Sequence, residues 1–262
     1  MQATETKTID SLGHHISKYA RHEISILDNL CNAYTESSLP IAQRLQTFPR
    51  HVRRQDIARF LAKHELFRQA LPVNGSIVEC GVFAGGGLFG WHHFSAIYEP
   101  YNHTRRIIGF DTFDGFVGIE PKDLTEGGSQ HSHSGAFRTS RTIKQELTHL
   151  ASIHDLNRPL GHIPKIELVG GDACQTIPKY VADHPSLLVS LLYLDFDLYA
   201  PTKVALEALL PRIPRGGVIA FDELNCPEFA GETNALLESL DLRQVELRRL
   251  PIDPYISWFL RS

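Results

Sequence analysis

The stretch Ser76–Leu88, SIVECGVFAGGGL, decides the fold. Ile77 and Val78 read as the end of a buried strand that Glu79 and Cys80 close. Gly81, Gly85, Gly86 and Gly87 follow, and then a helical run, LFGWHHFSAIY. A strand, a glycine-rich turn and a helix in that order make a nucleotide-type site. Glycine lets the backbone turn sharply and approach a ligand that a Cβ would exclude. The helix start beyond it offers free N–H groups. A plain tight turn of an α/β fold would use the same glycines, so the rest of the chain has to decide.

Outward from this turn the chain alternates. Strand-like segments lie at 76–80, 106–110, 165–169, 187–195 and 217–222, with helical segments at roughly 88–98, 139–151, 173–183, 201–211 and 229–240. Near-continuous apolar strands alternating with helices predict a parallel sheet covered on both faces. Two more strands, QVELRRL and YISWFLR, flank a joint holding Pro251 and Pro254. That joint is too short for a crossover helix, so the pair must be antiparallel. The expected fold is α/β: a Rossmann-like sheet of seven strands with an antiparallel C-terminal hairpin, over residues 76–262.

Residues 1–75 read as a helical appendage rather than an independent domain. Residues 1 to about 9 are expected to be disordered. From Leu12 an apolar stripe runs through Ile16, Ala20, Ile24, Leu27 and Cys31 at steps of three and four. A second helix is expected from Gln55 to Leu71, ended by Pro72 and Asn74-Gly75. The basic run Arg50–Arg54 reads as a solvated face. One long segment fits no element: residues 115–139, rich in Gly, Ser and His, follow the second strand at its carboxyl end, where long loops act as lids or substrate loops.

Composition excludes several classes. Hydrophobic residues make up 42% and charged residues 21% of 262, an ordinary globular balance. A net charge of −4 gives no electrostatic case for nucleic acid. No apolar run approaches the roughly 20 residues a membrane span needs, and the N-terminus lacks the layout of a signal peptide. Cys31, Cys80, Cys174 and Cys226 show no C-x-x-C spacing, which fits reduced thiols in a cytoplasm. The 14 histidines show no H-E-x-x-H pattern and are expected mostly at the surface or in loops.

In an open α/β sheet, ligands bind beyond the carboxyl ends of the strands. The second strand ends in Asp111, which can accept two hydrogen bonds from a ribose diol or cap a helix. The third leads to Asp172-Ala173, where an acid can cap the next helix and receive an adenine amino group. The fourth ends in Asp195-Phe196-Asp197 and the fifth in Asp222-Glu223. Capping or pairing with Lys203, Arg212 or Arg215 would explain one or two of these four acids. Like charges this close repel unless a cation or a proton lies between them. An all-oxygen set suits Mg²⁺, Mn²⁺ or Ca²⁺ rather than zinc.

Two resemblances follow from these residues. Glu79-x-Gly81-x-x-x-Gly85 resembles the first motif of class I S-adenosylmethionine-dependent methyltransferases. The cluster LDFDLYAPTKVALEALLPRIPRGGVIAFDE (194–223), with ECGVFAGGG and GFDTFDGF, resembles the metal-dependent sugar O-methyltransferases of the macrocin O-methyltransferase type. The resemblance covers roughly residues 72–262. It implies Mg²⁺ or Mn²⁺ ligands at Asp195, Asp222 and Glu223, the last departing from the family's usual Asp by one methylene. It implies a general base at Asp197, with Tyr199 packing beside it. It implies S-adenosylmethionine contacts at Glu79, Gly81 and Asp111, with Gly85, Thr112, Asp172 and Ala173 completing that set. The acceptor it implies is a small sugar-containing molecule, and the helical appendage of such enzymes often builds a homodimer or larger homo-oligomer. The rival reading is a catechol-type O-methyltransferase acting on a planar diol, with Lys203 considered as base. A non-catalytic binding protein of the same fold is a further alternative, as is an NAD-dependent enzyme, which the missing G-x-G-x-x-G pattern and the antiparallel terminal hairpin disfavour.

Overall fold

The computed structural model describes residues 25–124 and 133–262. The expected disorder of residues 1–9 and the first half of the Leu12–Cys31 stripe lie outside the described residues. The chain divides into two compact units, residues 1–59 and 60–262. The first holds helices α1 (Ile26–Thr35) and α2 (Ile41–Gln46) and the start of α3 (Arg54–Ala70). The second unit begins at Phe60, within α3. The physical reason is burial: Ala62, Leu66, Phe67 and Ala70 of α3 belong to the core beside the sheet.

The second unit continues with β1 (Ser76–Cys80), α4 (Gly86–Tyr98), β2 (Ile107–Asp111), α5 (Ile143–Asp155), β3 (Ile166–Gly170) and α6 (Ala173–Asp183). It closes with β4 (Val189–Leu194), α7 (Tyr199–Leu209), β5 (Val218–Phe221), α8 (Ala230–Ser239), β6 (Arg248–Leu250) and β7 (Asp253–Leu260). The seven strands form one sheet in the order β3-β2-β1-β4-β5-β7-β6. β1 to β5 are parallel, and β7 runs antiparallel to both β5 and β6. The expected parallel core and terminal hairpin are therefore present. The order reverses between β1 and β4, which opens the crevice at their carboxyl ends.

Side-chain alternation splits the core in two. On β1, Val78 and Cys80 enter one layer with Leu192 and Leu194 of β4 and Ile219 and Phe221 of β5, under α6, α7 and α8. Ile77, Leu191, Tyr193, Val218 and Ala220 enter the other, under α3, α4 and α5. Strands buried on both faces cannot show the one-sided alternation of a solvated sheet, which is why they read as continuous apolar runs.

Two expected segments are displaced. The helix expected at 139–151 is α5, four residues later, because Ser140–Thr142 form its N-terminal turn. The first strand of the hairpin shrinks to three residues, because Leu242–Gln244 coil into a 3-10 turn capped by Asp241.

The described parts of the 115–139 loop are anchored. Phe116 N–H donates to the Ala136 carbonyl at 3.0 Å and Gly135 N–H to the Phe116 carbonyl at 2.9 Å. Asp123, 4% exposed, accepts from the Glu120 N–H at 2.8 Å and from the Tyr199 N–H at 2.6 Å, so it caps α7. Asn234 of α8 donates to the Lys122 carbonyl at 2.7 Å. Residues 125–132, where much of the expected lid falls, lie outside the described residues.

Candidate active site at the carboxyl ends of β1, β4 and β5

Packing constrains the glycine turn. Gly81 adopts φ +96°, and a Cβ there would lie 1.9 Å from the Asp195 carbonyl oxygen. The ends of β1 and β4 touch at this point, with Asp195 N–H donating to the Cys80 carbonyl at 2.8 Å. Gly87 has no room because the Glu79 carboxylate fills the space where its Cβ would be. Of the four glycines of this turn, Gly86, at the start of α4, is the one that faces open space. The β4 backbone alone therefore requires glycine at position 81. Gly81→Val should lower stability by about 3 kcal/mol or more, from overpacking against backbone at a left-handed φ. Gly86→Ala should leave the thermal melt nearly unchanged. A wild-type melt for Gly81→Val would show that the β4 end yields.

The expected cofactor acids hold the loops. Asp111 Oδ2 accepts from the Val82 and Phe83 N–H groups, each at 2.8 Å, and Oδ1 from the Phe113 N–H at 2.6 Å. Thr112 donates to the Gly115 carbonyl at 2.7 Å. Asp172 is the N-cap of α6, accepting from Cys174 N–H at 2.9 Å, with Ala173 buried beneath it. Gly85, at φ +84°, is the N-cap of α4. Glu79 is 1% exposed and paired with Lys63 of α3 at 3.2 Å. Burial raises its pKa, and the Lys63 charge opposes that rise.

The four acids do come together. Asp222 is 2% exposed, and its Oδ1 accepts a short hydrogen bond from the Tyr193 hydroxyl. Lys63 lies over the Tyr193 ring, 3.8 Å from its centroid, so a buried cation from α3 stands behind Asp222. Glu223 is pushed well above the usual carboxylate range by burial and by the charges of Asp197, Asp222 and Asp195. Its Oε2 is buried with no hydrogen-bond partner. Asp197 sits at φ +61°, a left-handed conformation that few side chains adopt.

Sequence reasoning missed Glu232, in the first turn of α8. It is fully buried, and its Oε1 accepts from the N–H groups of Phe196 at 3.0 Å and Asp197 at 3.3 Å, while Oε2 accepts from Glu223 N–H at 3.3 Å. One carboxylate thus holds both acid-bearing loops. Burial raises its pKa well above the ordinary value, and Asp197, Asp195 and Asp222 add to the rise. Its neighbour Gly231 must be glycine, since a Cβ would lie 2.4 Å from the Tyr199 nitrogen and 2.5 Å from the Asp197 carbonyl oxygen. The adjacent Gly231-Glu232 pair was the only signal available, and it is weak.

Two further features bear on the chemistry. Lys203 Nζ donates to the Tyr199 hydroxyl and to Glu238, both at 2.9 Å, and these bonds raise its pKa. A lysine held charged in this way is a poor base. Aromatic rings rim the crevice: Phe137 lies 6.4 Å from Phe83, 5.2 Å from Phe116 and 6.1 Å from Phe229 between centroids.

The strand order, the terminal hairpin and the glycine turn define a class I methyltransferase fold. Residues 62–235, about two thirds of the chain, match the model of the macrocin-O-methyltransferase family, and the chain belongs to that family of O-methyltransferases. It is 33% identical to the calicheamicin methyltransferase CalS11, with 93% of this chain and 94% of that one covered and a TM-score of 0.89. The apo structure of CalS11, described as a TDP-rhamnose 3'-O-methyltransferase, is similar at a TM-score of 0.81, with 32% identity over 93% of this chain and 96% of that one. A curated relative from Streptomyces olivaceus, 8-demethyl-8-(2,3-dimethoxy-alpha-L-rhamnosyl)-tetracenomycin-C 4'-O-methyltransferase, is 26% identical over 58% of this chain. The match spans about half, 53%, of that relative. The O-methyltransferase NovP, 18% identical over 79% of this chain and 80% of that one with a TM-score of 0.56, shares the fold. Among the described residues, no helix is long and apolar enough to cross a membrane.

Proposed function

We infer that this chain transfers a methyl group from S-adenosylmethionine to a hydroxyl of a sugar, with a divalent cation of the Mg²⁺ or Mn²⁺ type. The observation that carries this reading is the acid cluster. Asp195, Asp222 and Glu223 offer hard oxygen ligands, and the orphaned Oε2 of Glu223 among like charges is the electrostatic signature of a site that wants a cation. The residues therefore fit the ion. They fit the methyl donor as well: the first turn of α4 opens at Gly86, and Asp172 stands just beyond β3, its Oδ2 3.4 Å from the Gln175 side-chain nitrogen.

In this reading the bound ion supplies Lewis acidity that lowers the pKa of the acceptor hydroxyl and fixes its oxygen. S-adenosylmethionine supplies the electrophilic sulfonium methyl and its own leaving group. Asp197 takes the hydroxyl proton, and Glu232 holds the Asp197 loop where it can do so. Asp111 secures the turn that receives the donor. The aromatic rim excludes water from the reacting centre. The names of CalS11 and the tetracenomycin enzyme support a deoxysugar, carried by a nucleotide or a glycosylated natural product. A polysaccharide precursor remains within the same acceptor class. The pairing of Lys203 with Glu238 disfavours a catechol-type base. A cytoplasmic location belongs to this reading, and the free cysteines support it. A homo-oligomer would cover Ile41, Leu45 and Phe48, which the N-terminal unit exposes.

The test is methyl transfer to TDP-rhamnose, to a rhamnosylated aromatic polyketide and to catechol, before and after EDTA. Activity on a sugar acceptor, lost in EDTA and restored by Mg²⁺ or Mn²⁺, is expected. Full turnover by metal-free protein would defeat the metal assignment. Stability should respond as well. Glu223 and Glu232 bind protons more tightly folded than unfolded when no cation is present, because both carboxyls are raised from 4.5. Their contribution is complete below about pH 4.5 and is lost as pH rises through the folded values. Metal-free protein should therefore melt at lower temperature as pH rises, and Mg²⁺ should flatten the decline.

A further inference from the structure

A second ligand set lies outside the crevice, between α4 and α5. His92 and His93 sit about 10 Å along α4 from its first residue, and His154 is next to last in α5. One ligand atom from each of the three lies within 4.8 Å of the others. The ring centroids of His93 and His154 are 4.8 Å apart, those of His92 and His154 5.6 Å, and those of His92 and His93 5.8 Å. The expectation that the histidines are surface or loop residues fails here, because the α4 register turns His92 inward beside Trp91.

His92 is the informative member. It is 2% exposed, and neither Nδ1 nor Nε2 has a hydrogen-bond partner. Buried imidazole nitrogens normally find a partner, because losing water without one is unfavourable. Asp155 is a charged neighbour, its Oδ1 3.7 Å from His92 Nε2. That carboxylate is engaged by Arg158 at 2.7 Å and 2.8 Å. Burial, helped by His93, brings His92 down to about 4, and burial with His154 lowers His93. Both imidazoles are thus neutral at neutral pH, with lone pairs available. His93 and His154 are only partly buried, which leaves a route from solvent.

We propose that His92, His93 and His154 form a binding site for a borderline-soft divalent cation of the zinc class, which ties α4 to α5. Three imidazoles make the protein half of a tetrahedral site, and water or Asp155 can complete it. Zinc–nitrogen bonds of about 2.0–2.1 Å put ligand atoms about 3.3 Å apart in that geometry, so the rings close by rotation of the two partly exposed side chains. Nitrogen ligands select Zn²⁺, Co²⁺, Ni²⁺ or Cu²⁺ over Mg²⁺, whereas the acid cluster prefers the opposite. The two sites can therefore be filled independently. A cation here would brace the helix that carries the glycine turn.

The experiment uses chelator-treated full-length protein in excess Mg²⁺, titrated with Zn²⁺ against a chromophoric chelator and with Co²⁺ by visible absorption. One equivalent of Zn²⁺ is expected, with the intense bands of four-coordinate Co²⁺ and a thermal midpoint raised by a few degrees. His93→Ala and His154→Ala should each weaken Zn²⁺ binding at least tenfold while the metal-free melts stay near wild type. These two positions are chosen because His92→Ala opens the core. Less than half an equivalent of Zn²⁺, or undiminished affinity in the His93→Ala/His154→Ala double variant, would overturn the proposal. So would a loss of zinc binding in Asp222→Asn alone, which would move the ion to the acid cluster.

Discussion

Asp197→Asn is expected to lower turnover by about 10²–10⁴-fold, the usual scale for a general base, with metal and S-adenosylmethionine affinities kept. Asn has the size of Asp and tolerates the left-handed backbone at φ +61°, so the loop should keep its path. What is lost is the capacity to hold a proton. Single-turnover rates, with cofactor and Mg²⁺ affinity measured by calorimetry, separate these effects. Unchanged turnover would pass the role to Glu223, the acid hydrogen-bonded to Asp197; Lys203 is committed to Tyr199 and Glu238.

Glu232→Ala should weaken Mg²⁺ binding by about 10–100-fold, as loss of groups that orient metal ligands commonly does, and turnover should fall with it. Three backbone N–H groups, on Phe196, Asp197 and Glu223, would lose their acceptor. Each unmet buried donor costs about 1–3 kcal/mol. The offset is the removal of a buried carboxylate crowded by Asp195, Asp197 and Asp222. Global stability should therefore change less than metal affinity does. Glu232→Gln makes the sharper probe: its amide oxygen can still accept from Phe196 and Asp197, but its NH₂ would face the Glu223 N–H, donor against donor. Wild-type Mg²⁺ affinity in both variants would remove Glu232 from any part in the site.

The sheet was legible because its strands are apolar on both faces and end in acids. Asp111, Asp195 and Asp222 mark the strand ends in the chain as plainly as in space. What the local sequence could not show was which groups answer those acids. Lys63 comes from α3, sixteen residues before Glu79, and nothing in ECGVFAGGG announces it. Glu232 lies beyond β5 on a helix whose docking only tertiary packing fixes. The clash that requires glycine at position 81 was not legible either, since the β4 backbone comes close only after the sheet has formed. The histidine pair in LFGWHHFSAIY lacked a motif because its third member is on another helix, some sixty residues away.

The left-handed backbone at Asp197 has a consequence for anyone breeding a hardier form of this protein. Glycine would sit there with less strain, by about 1 kcal/mol, and would relieve the crowding of like charges. A screen that rewards heat tolerance alone should thus favour glycine at position 197 and return robust, silent proteins. The same position would serve as a sentinel: libraries that retain the aspartate under thermal selection are the ones in which catalysis was also being counted.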